Sequence, residues 1–372
     1  MANIKKLKEN TVKLVKLEDV CYNGSSSLSQ KDIIMLEGKY PVYGASGLIK
    51  YINFYKYDKE YIAIVKDGAG IGRTMILPAN SSVISTLQYI FPKENINIRY
   101  LYYALNAMDL SKYYSGVTIP HIYFKDYKKE ELYLPIIDEQ INIVNKLDKI
   151  REIIDIRKKQ IEELDEIIKS QFVEMFQSGN YPREELGKLC DVRDGTHDSP
   201  KYLEESGYKF ITSKNIINNE IDFSEVKYIS KQDYDKFNTR SKVNYGDILM
   251  PMIGTIGKPM IVNIPDDEID FAIKNVALIK FLDNSQVTNI YIKNLLDSDY
   301  FENAILQNKR GGTQKFIALS DIRKMQIEIP PIELQNQFAD IVKQIDKQKF
   351  EIQKNLEEMQ KLQESLMNKY FG

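Results

Sequence analysis

Two stretches of the chain carry apolar residues spaced mostly by alternating threes and fours. Ile143, Leu147, Ile150, Ile154, Ile161, Leu164, Ile168, Phe172 and Met175 mark the first stretch. Phe338, Val342, Ile345, Ile352, Leu356, Met359, Leu366 and Tyr370 mark the second. Such a seam predicts a long helix with one apolar stripe. The first seam is interrupted near Arg157 and the second at Lys349. Pro135 and Pro330–Pro331 precede the two stretches, where proline marks entry without breaking a hydrogen-bond ladder. Ser178-Gly179-Asn180 and Gly372 follow as stop signals. At 1.5 Å per residue each helix would be on the order of 58 Å long.

The two stretches belong to a repeat. A shift of 195 residues aligns 134–176 with 329–371 without a gap, and Pro135, Ile137, Gln140 and Ile150 fall on Pro330, Ile332, Gln335 and Ile345. The same shift sets Gly116 on Gly311, Thr118 on Thr313 and Asp126 on Asp321. With other offsets, Ile71-Gly72-Arg73 matches Ile256-Gly257-Lys258, and Leu17–Cys21 matches Leu186–Cys190. The chain is therefore expected to contain two globular parts, 1–133 and 181–328, each followed by a helical part, 134–180 and 329–372. Two seams in one chain can shield each other as an antiparallel intramolecular coiled coil; the alternative is that each helix packs on its own domain.

Outside the seams the pattern changes to short strands. Tyr61–Val65 and Thr74–Leu77 flank a glycine-rich turn, Asp247–Met250 and Met260–Val262 flank another, and Arg99–Asp109 and Ile290–Leu306 have helical spacing. The fold class that follows is α+β: two α/β domains separated by two long helices, with a pseudo-twofold repeat.

Charge adds a local distinction. The chain as a whole is −2, but residues 1–133 carry a net +5, and the three later parts carry −3, −3 and −1. Binding nucleic acid by bulk positive charge is excluded, whereas local basic loops are not. No apolar run approaches the ~20 residues of a membrane span. The charged start MANIKKLKEN has no signal-like core, which predicts a cytoplasmic chain. Cys21, Cys190, His121 and His197 are isolated and form no zinc pattern.

Motifs for catalysis fail on inspection. Gly68-Ala69-Gly70-Ile71-Gly72 continues with Arg73 where a dinucleotide fingerprint has two variable residues and then glycine, so a hairpin turn is the better reading. Ile256-Gly257-Lys258 lacks the earlier glycine and the following hydroxyl of a phosphate-binding loop. Pro330-Pro331 lies between isoleucines and lacks the acidic or amide residue and the aromatic of an adenine methyltransferase motif. What remains is a set of polar, glycine-containing loops. Tyr40–Gly47 and Tyr113–Thr118 combine aromatics with hydroxyls. Asp194–Pro200 is a turn-rich loop holding Thr196 and His197. Lys309-Arg310-Gly311-Gly312-Thr313-Gln314-Lys315 joins cations, close-approach glycines and an amide able to read an adenine edge.

The ordered duplication, the Pro-x-x-x-x-Gln entries at Pro135–Gln140 and Pro330–Gln335, and Tyr40–Gly44, Asp194–His197 and Gly311–Gln314 together resemble the specificity subunits of type I restriction–modification systems. The resemblance implies a non-catalytic chain with two target recognition domains reading a bipartite site in double-stranded DNA. It implies two DNA methyltransferase subunits as partners, with S-adenosylmethionine bound there and no cofactor on this chain. Restriction and translocase subunits join where the system has them, and no membrane is involved. The competing class is a coiled-coil adaptor with globular protein-binding ends.

The side chains expected at the DNA fall on loops of both domains. In the first they are Tyr43, Ser46, Lys66, Arg73, Tyr114, Thr118 and His121. In the second they are Thr196, His197, Lys214, Asn215, Thr255 and Lys258, followed by Lys309, Arg310, Thr313, Gln314 and Lys315. Gly116-Val117-Thr118-Ile119 departs from the pattern by lacking the counterpart of Gln314.

Overall fold

The computed structural model describes residues 12–68, 70–116, 120–177, 179–204, 206–217, 219–252, 257–282, 285–298, 301 and 317–372. The chain divides into two compact units. One comprises Met1–Lys159 with Gln353–Gly372, the other Gln160–Ile352.

In the first unit, β1 (Lys13–Lys16) pairs antiparallel with β9 (Glu131–Leu134). A four-stranded antiparallel sheet has the order β2 (Cys21–Ser25), β8 (Leu87–Pro92), β5 (Tyr61–Val65), β6 (Thr74–Leu77). A smaller sheet has the order β4 (Gly47–Ile52), β3 (Tyr40–Gly44), β7 (Ser82–Val83), with β3 and β7 parallel. Strand β5 is buried along its whole length, which is why it reads as an uninterrupted apolar run. Ile62 and Ile64 face a core completed by the helix Ile98–Ala107, while Tyr61, Ala63 and Val65 face a second core.

The second unit repeats this plan strand for strand. Strand β10 (Arg183–Glu185) pairs with β20 (Gln326–Glu328). The larger sheet has the order β11 (Cys190–Asp194), β19 (Val276–Phe281), β16 (Ile248–Pro251), β17 (Met260–Ile261). The smaller has the order β15 (Lys227–Ile229), β12 (Tyr208–Thr212), β18 (Phe271–Lys274), with β12 and β18 parallel. Additions to the plan are the hairpin β13 (Ile216–Ile217)–β14 (Glu220–Ile221) and the helix Lys231–Ser241.

The two seams form helices of 40 residues, Ile137–Phe176 and Ile332–Phe371. In the second unit they run antiparallel: Phe172 and Phe176 pack on Phe338 at ring separations of 5.5 and 5.4 Å, and Asp165 meets Lys349 at 2.6 Å. Lys349, the break in the second seam, is thus half of an ion pair between the helices. In the first unit Ile143, Val144 and Leu147 enter the core against which Leu366, Met367, Tyr370 and Phe371 pack, so the start of one helix again lies with the end of the other. The two packing alternatives are realised together, since each helix end shields its partner and also lies in a domain core.

The Pro-x-x-x-x-Gln entry has a physical purpose in both units. Gln140 is fully buried; its Oε1 accepts the Asn97 amide at 2.8 Å and its Nε2 donates to the Pro135 and Asn95 carbonyls at 2.8 and 3.1 Å. Gln335 repeats the arrangement with the Thr288 amide at 2.8 Å and the Pro330 and Gln286 carbonyls at 2.9 and 3.0 Å. Asn97 and Thr288 are the N-caps of the helices Ile98–Ala107 and Asn289–Leu296. The glutamine, itself buried, therefore ties the entry of each long helix to the capped end of another helix. Tyr100 and Tyr291 on those helices donate in turn to the Tyr133 and Glu328 carbonyls, at 2.7 and 2.9 Å. Replacing Gln335 by Ala would leave one amide and two carbonyls unpaired in a buried place. The expected cost is about 1–3 kcal/mol in urea unfolding, and Gln140→Ala should behave alike. Unchanged unfolding curves for both variants would show that the clamp is dispensable.

Candidate nucleic-acid interface

Three loops of the first unit converge. The hairpin between β5 and β6 is closed by Gly72 donating to the Val65 carbonyl at 2.9 Å, and Gly68, Gly70 and Gly72 all have left-handed backbone, with φ of 83, 87 and 84°. This is the reason for the glycines: a side chain at those torsions would be strained. Arg73, leaving the hairpin, donates its guanidinium to the Ala45 carbonyl in the β3–β4 turn beside exposed Ser46. On the other side Gly68 donates to the Pro120 carbonyl at 3.0 Å, and Asp67 Oδ1 lies 2.7 Å from His121 Nδ1. Lys66 stands 3.5 Å from the same carboxylate. Ser115 and His121 exchange backbone hydrogen bonds of 2.8 Å, which places exposed Tyr114 at the edge of the group. Tyr43 is partly buried, and burial pushes its phenol above the ordinary value, so it stays a neutral donor and acceptor. Five of the seven residues expected in this domain thus lie on or at the edge of connected loops, Tyr43 lies in β3 beside the β3–β4 turn, and Thr118 lies outside the described residues.

The second unit builds a different cluster. Asp194, with a side chain only 10% exposed, accepts from the Arg240 guanidinium and lies 2.9 Å from His197 Nε2. His197 Nδ1 is 2.6 Å from Asn275 Oδ1. Around it, Lys236 pairs with Asp198 at 2.8 Å and holds that carboxyl below its ordinary value, and Lys274 donates to Ser199 at 2.8 Å. Gly195 lets the loop lie against β18, because a Cβ there would sit 2.4 Å from the Ile273 carbonyl oxygen. Thr196 donates its amide to that same carbonyl at 3.0 Å. Sequence reasoning found Thr196 and His197 but missed Arg240, Lys236, Lys274 and Asn275. The first two belong to a helix without counterpart in the first half. The only signal for the others was a Lys-Asn pair set between two apolar runs.

The remaining expected residues are more scattered. Lys214 is exposed, whereas Asn215 is buried and its amide is used locally, accepting from the Thr212 amide at 3.0 Å and donating to the Asp222 carbonyl at 3.2 Å. Asn215 shapes the turn that presents Lys214. Lys258 is exposed and follows Gly257 in left-handed backbone, with φ of 56°. Thr255, Lys309, Arg310, Thr313, Gln314 and Lys315 lie outside the described residues. Burial pushes the thiols of Cys21 and Cys190 up to about 12, which leaves them as protonated core groups. Among the described residues no group of three or more His, Cys, Asp or Glu could hold a metal ion, and no helix is long and apolar enough to cross a membrane.

The duplicated scaffold with two unlike sets of polar loops has a counterpart in known proteins. A family model described as the type I restriction modification DNA specificity domain matches residues 9–166 and again 181–361. The chain belongs to this family. The specificity subunit of the type I restriction enzyme MjaVIII from Methanocaldococcus jannaschii is 24% identical over 367 residues, spanning 90% of this chain and 85% of that one. The EcoBI specificity subunit from Escherichia coli is 22% identical over 295 residues, spanning 68% of this chain and 60% of its own length. The fold resembles the crystal structure of a type I restriction–modification S subunit from M. genitalium, with a TM-score of 0.61 at 16% identity and 98% of both chains covered. A chain from a structure of type I system assembly and conformational transition gives 0.54 at 16% identity, covering 97% of this chain and 98% of that one. Membership in a DNA specificity family favours DNA recognition over the coiled-coil adaptor reading.

Asn275 allows the loop geometry to be separated from the contact it makes. Its φ of 54° is costly for a branched side chain and free for glycine. Asn275→Val should lower stability by about 1–2 kcal/mol, whereas Asn275→Gly should melt like the parent while losing the His197 contact. Equal melting of all three proteins would mean that the strain is relieved elsewhere.

Proposed function

We propose that this chain is the non-catalytic, sequence-reading subunit of a type I restriction–modification complex, in which each unit reads one half of a bipartite double-stranded DNA site. The observation that carries this reading is the nine-strand plan occurring twice with different side chains on its loops. One scaffold with two chemistries suits two different half-sites. In the first, Arg73, Lys66, His121, Tyr43, Ser46 and Tyr114 meet the duplex, with Thr118 added from outside the described residues. In the second, His197, Thr196, Lys214 and Lys258 do so, joined by Thr255, Lys309, Arg310, Thr313, Gln314 and Lys315. Phosphate contacts fix register, and base-edge contacts discriminate, each good bidentate pair contributing roughly 1–3 kcal/mol.

Two DNA methyltransferase subunits act as partners in this reading. They carry S-adenosylmethionine, and restriction subunits join where they are encoded. The long helices serve as protein-facing elements and as the ruler of the unread gap. Two modest half-site affinities combine through effective concentration when both halves are met at the matching spacing.

The test is the set of methylated motifs in genomic DNA from cells expressing the chain with its methylation subunit. A split motif is expected. His197→Ala should relax bases in one half, and Arg73→Ala with His121→Ala bases in the other. Variants that alter both halves together, or neither, would break the assignment of one half-site to each unit. Inserting one heptad into both helices should change the gap and leave both halves intact; an unchanged gap would remove the ruler.

A further inference from the structure

The two repeats differ at one corresponding place in a way the loops do not explain. In the second unit Arg323 lies across β11, donating through Nε and Nη2 to the Val192 carbonyl at 2.9 and 2.6 Å. Gly187 makes room for it, since a Cβ there would sit 3.0 Å from the Cβ of Arg323. In the first repeat the corresponding residues are Lys128 for Arg323, Asn23 for Val192 and Glu18 for Gly187. Glu18 changes the outcome. Lys128 pairs with its carboxylate at 2.6 Å, which holds that carboxyl below its ordinary value, and Lys93 donates to the Glu18 carbonyl at 2.8 Å. The course over Asn23 is part of an open groove of about 650 Å³.

The lining of the groove is strongly one-sided. Four lysines, Lys66, Lys93, Lys125 and Lys128, line it beside one carboxylate, Glu18; Lys128 pairs with Glu18 and Lys66 with Asp67, and Lys93 and Lys125 have no carboxylate partner among the described residues. Lys125 extends over the ring of Tyr123 at 5.3 Å, and Tyr123 stacks beside His121 at 6.4 Å. The groove therefore continues directly from the converged loops. Lys66 belongs to both.

We propose that this groove takes the phosphodiester backbone of the DNA duplex beside the first half-site, with Lys93 and Lys125 neutralising phosphates and Tyr123 forming its wall. The inference rests on the DNA-reading role proposed above. Backbone binding fits better than base reading, because an ammonium is a compact charge on a flexible stem, without the rigid fork of donors that arginine presents to a base edge. The second unit has Arg323 where this groove would run, so the contact belongs to one half only.

The experiment uses the complex of the full chain with its methylation subunit and short duplexes with and without the methylated motif. Affinity is read between about 50 and 200 mM salt. Lys93→Ala with Lys125→Ala should lower the slope of log affinity against log salt by about 2, equally on both duplexes, with the methylated motif unchanged. Lys343→Ala with Lys361→Ala, on the second long helix, removes the same charge and should leave the slope as it was. If the first pair fails to fold, Lys125→Glu alone should reduce affinity more at low than at high salt. An unchanged slope would overturn the groove while leaving the DNA-reading role intact. A changed base in the motif would overturn the backbone assignment in favour of base contact. A parent complex with no salt-dependent affinity for either duplex would remove the DNA-reading role and this inference with it.

Discussion

Both compact units draw apolar side chains from both repeats. The first needs Ile143, Val144 and Leu147 from one long helix, and Leu366, Met367, Tyr370 and Phe371 pack on it from the other. The second needs Ile168, Phe172 and Phe176 from the first helix together with Phe338, Val342 and Ile345 from the second. A buried Leu or Phe contributes about 1.5–3 kcal/mol. Folding stability is of order 5–15 kcal/mol, so several such side chains decide whether a unit folds at all. The helix ends thus couple the packing of the two repeats within each unit. Everything else, from the sheet order to the loops at its edges, is hung on that exchange of helix ends.

The same constraint explains what could be read in advance. A stripe that must be buried over forty residues leaves a periodic trace, and strands such as β5, buried on both faces, leave an apolar run. Gln140 and Gln335 were visible as a repeated spacing after proline, but their role as buried clamps was not, because their partners Asn97 and Thr288 lie over forty residues away. Loop convergence was invisible for the same reason. Nothing local joins Asp67 to His121 or Asp194 to Arg240. The helix Lys231–Ser241 interrupts the repeat, so comparing the halves could not supply its residues either.

Duplication also shows which parts of the plan are free to vary. The glutamine clamps and the Tyr100 and Tyr291 hydrogen bonds are kept in both halves, since each satisfies buried backbone groups whose neglect would cost stability. The groups at the loop ends face solvent and carry no such obligation. Glu18 against Gly187, with Lys128 against Arg323, shows the cation beside a shared element taking a different partner in each half. A scaffold of this kind can change what it reads without repacking either core.

The halves also differ in how their cations are paired. In the second unit the cations near the loop are already matched: Arg240 to Asp194, Lys236 to Asp198 and Lys231 to Asp235. Such pairs give little net field, and what they add is a fixed orientation for His197 and its neighbours. In the first unit the loops and groove hold lysines in excess of carboxylates, in keeping with the +5 of residues 1–133. A chain of net charge −2 cannot draw a polyanion to its whole surface. It can do so only where cations locally outnumber carboxylates.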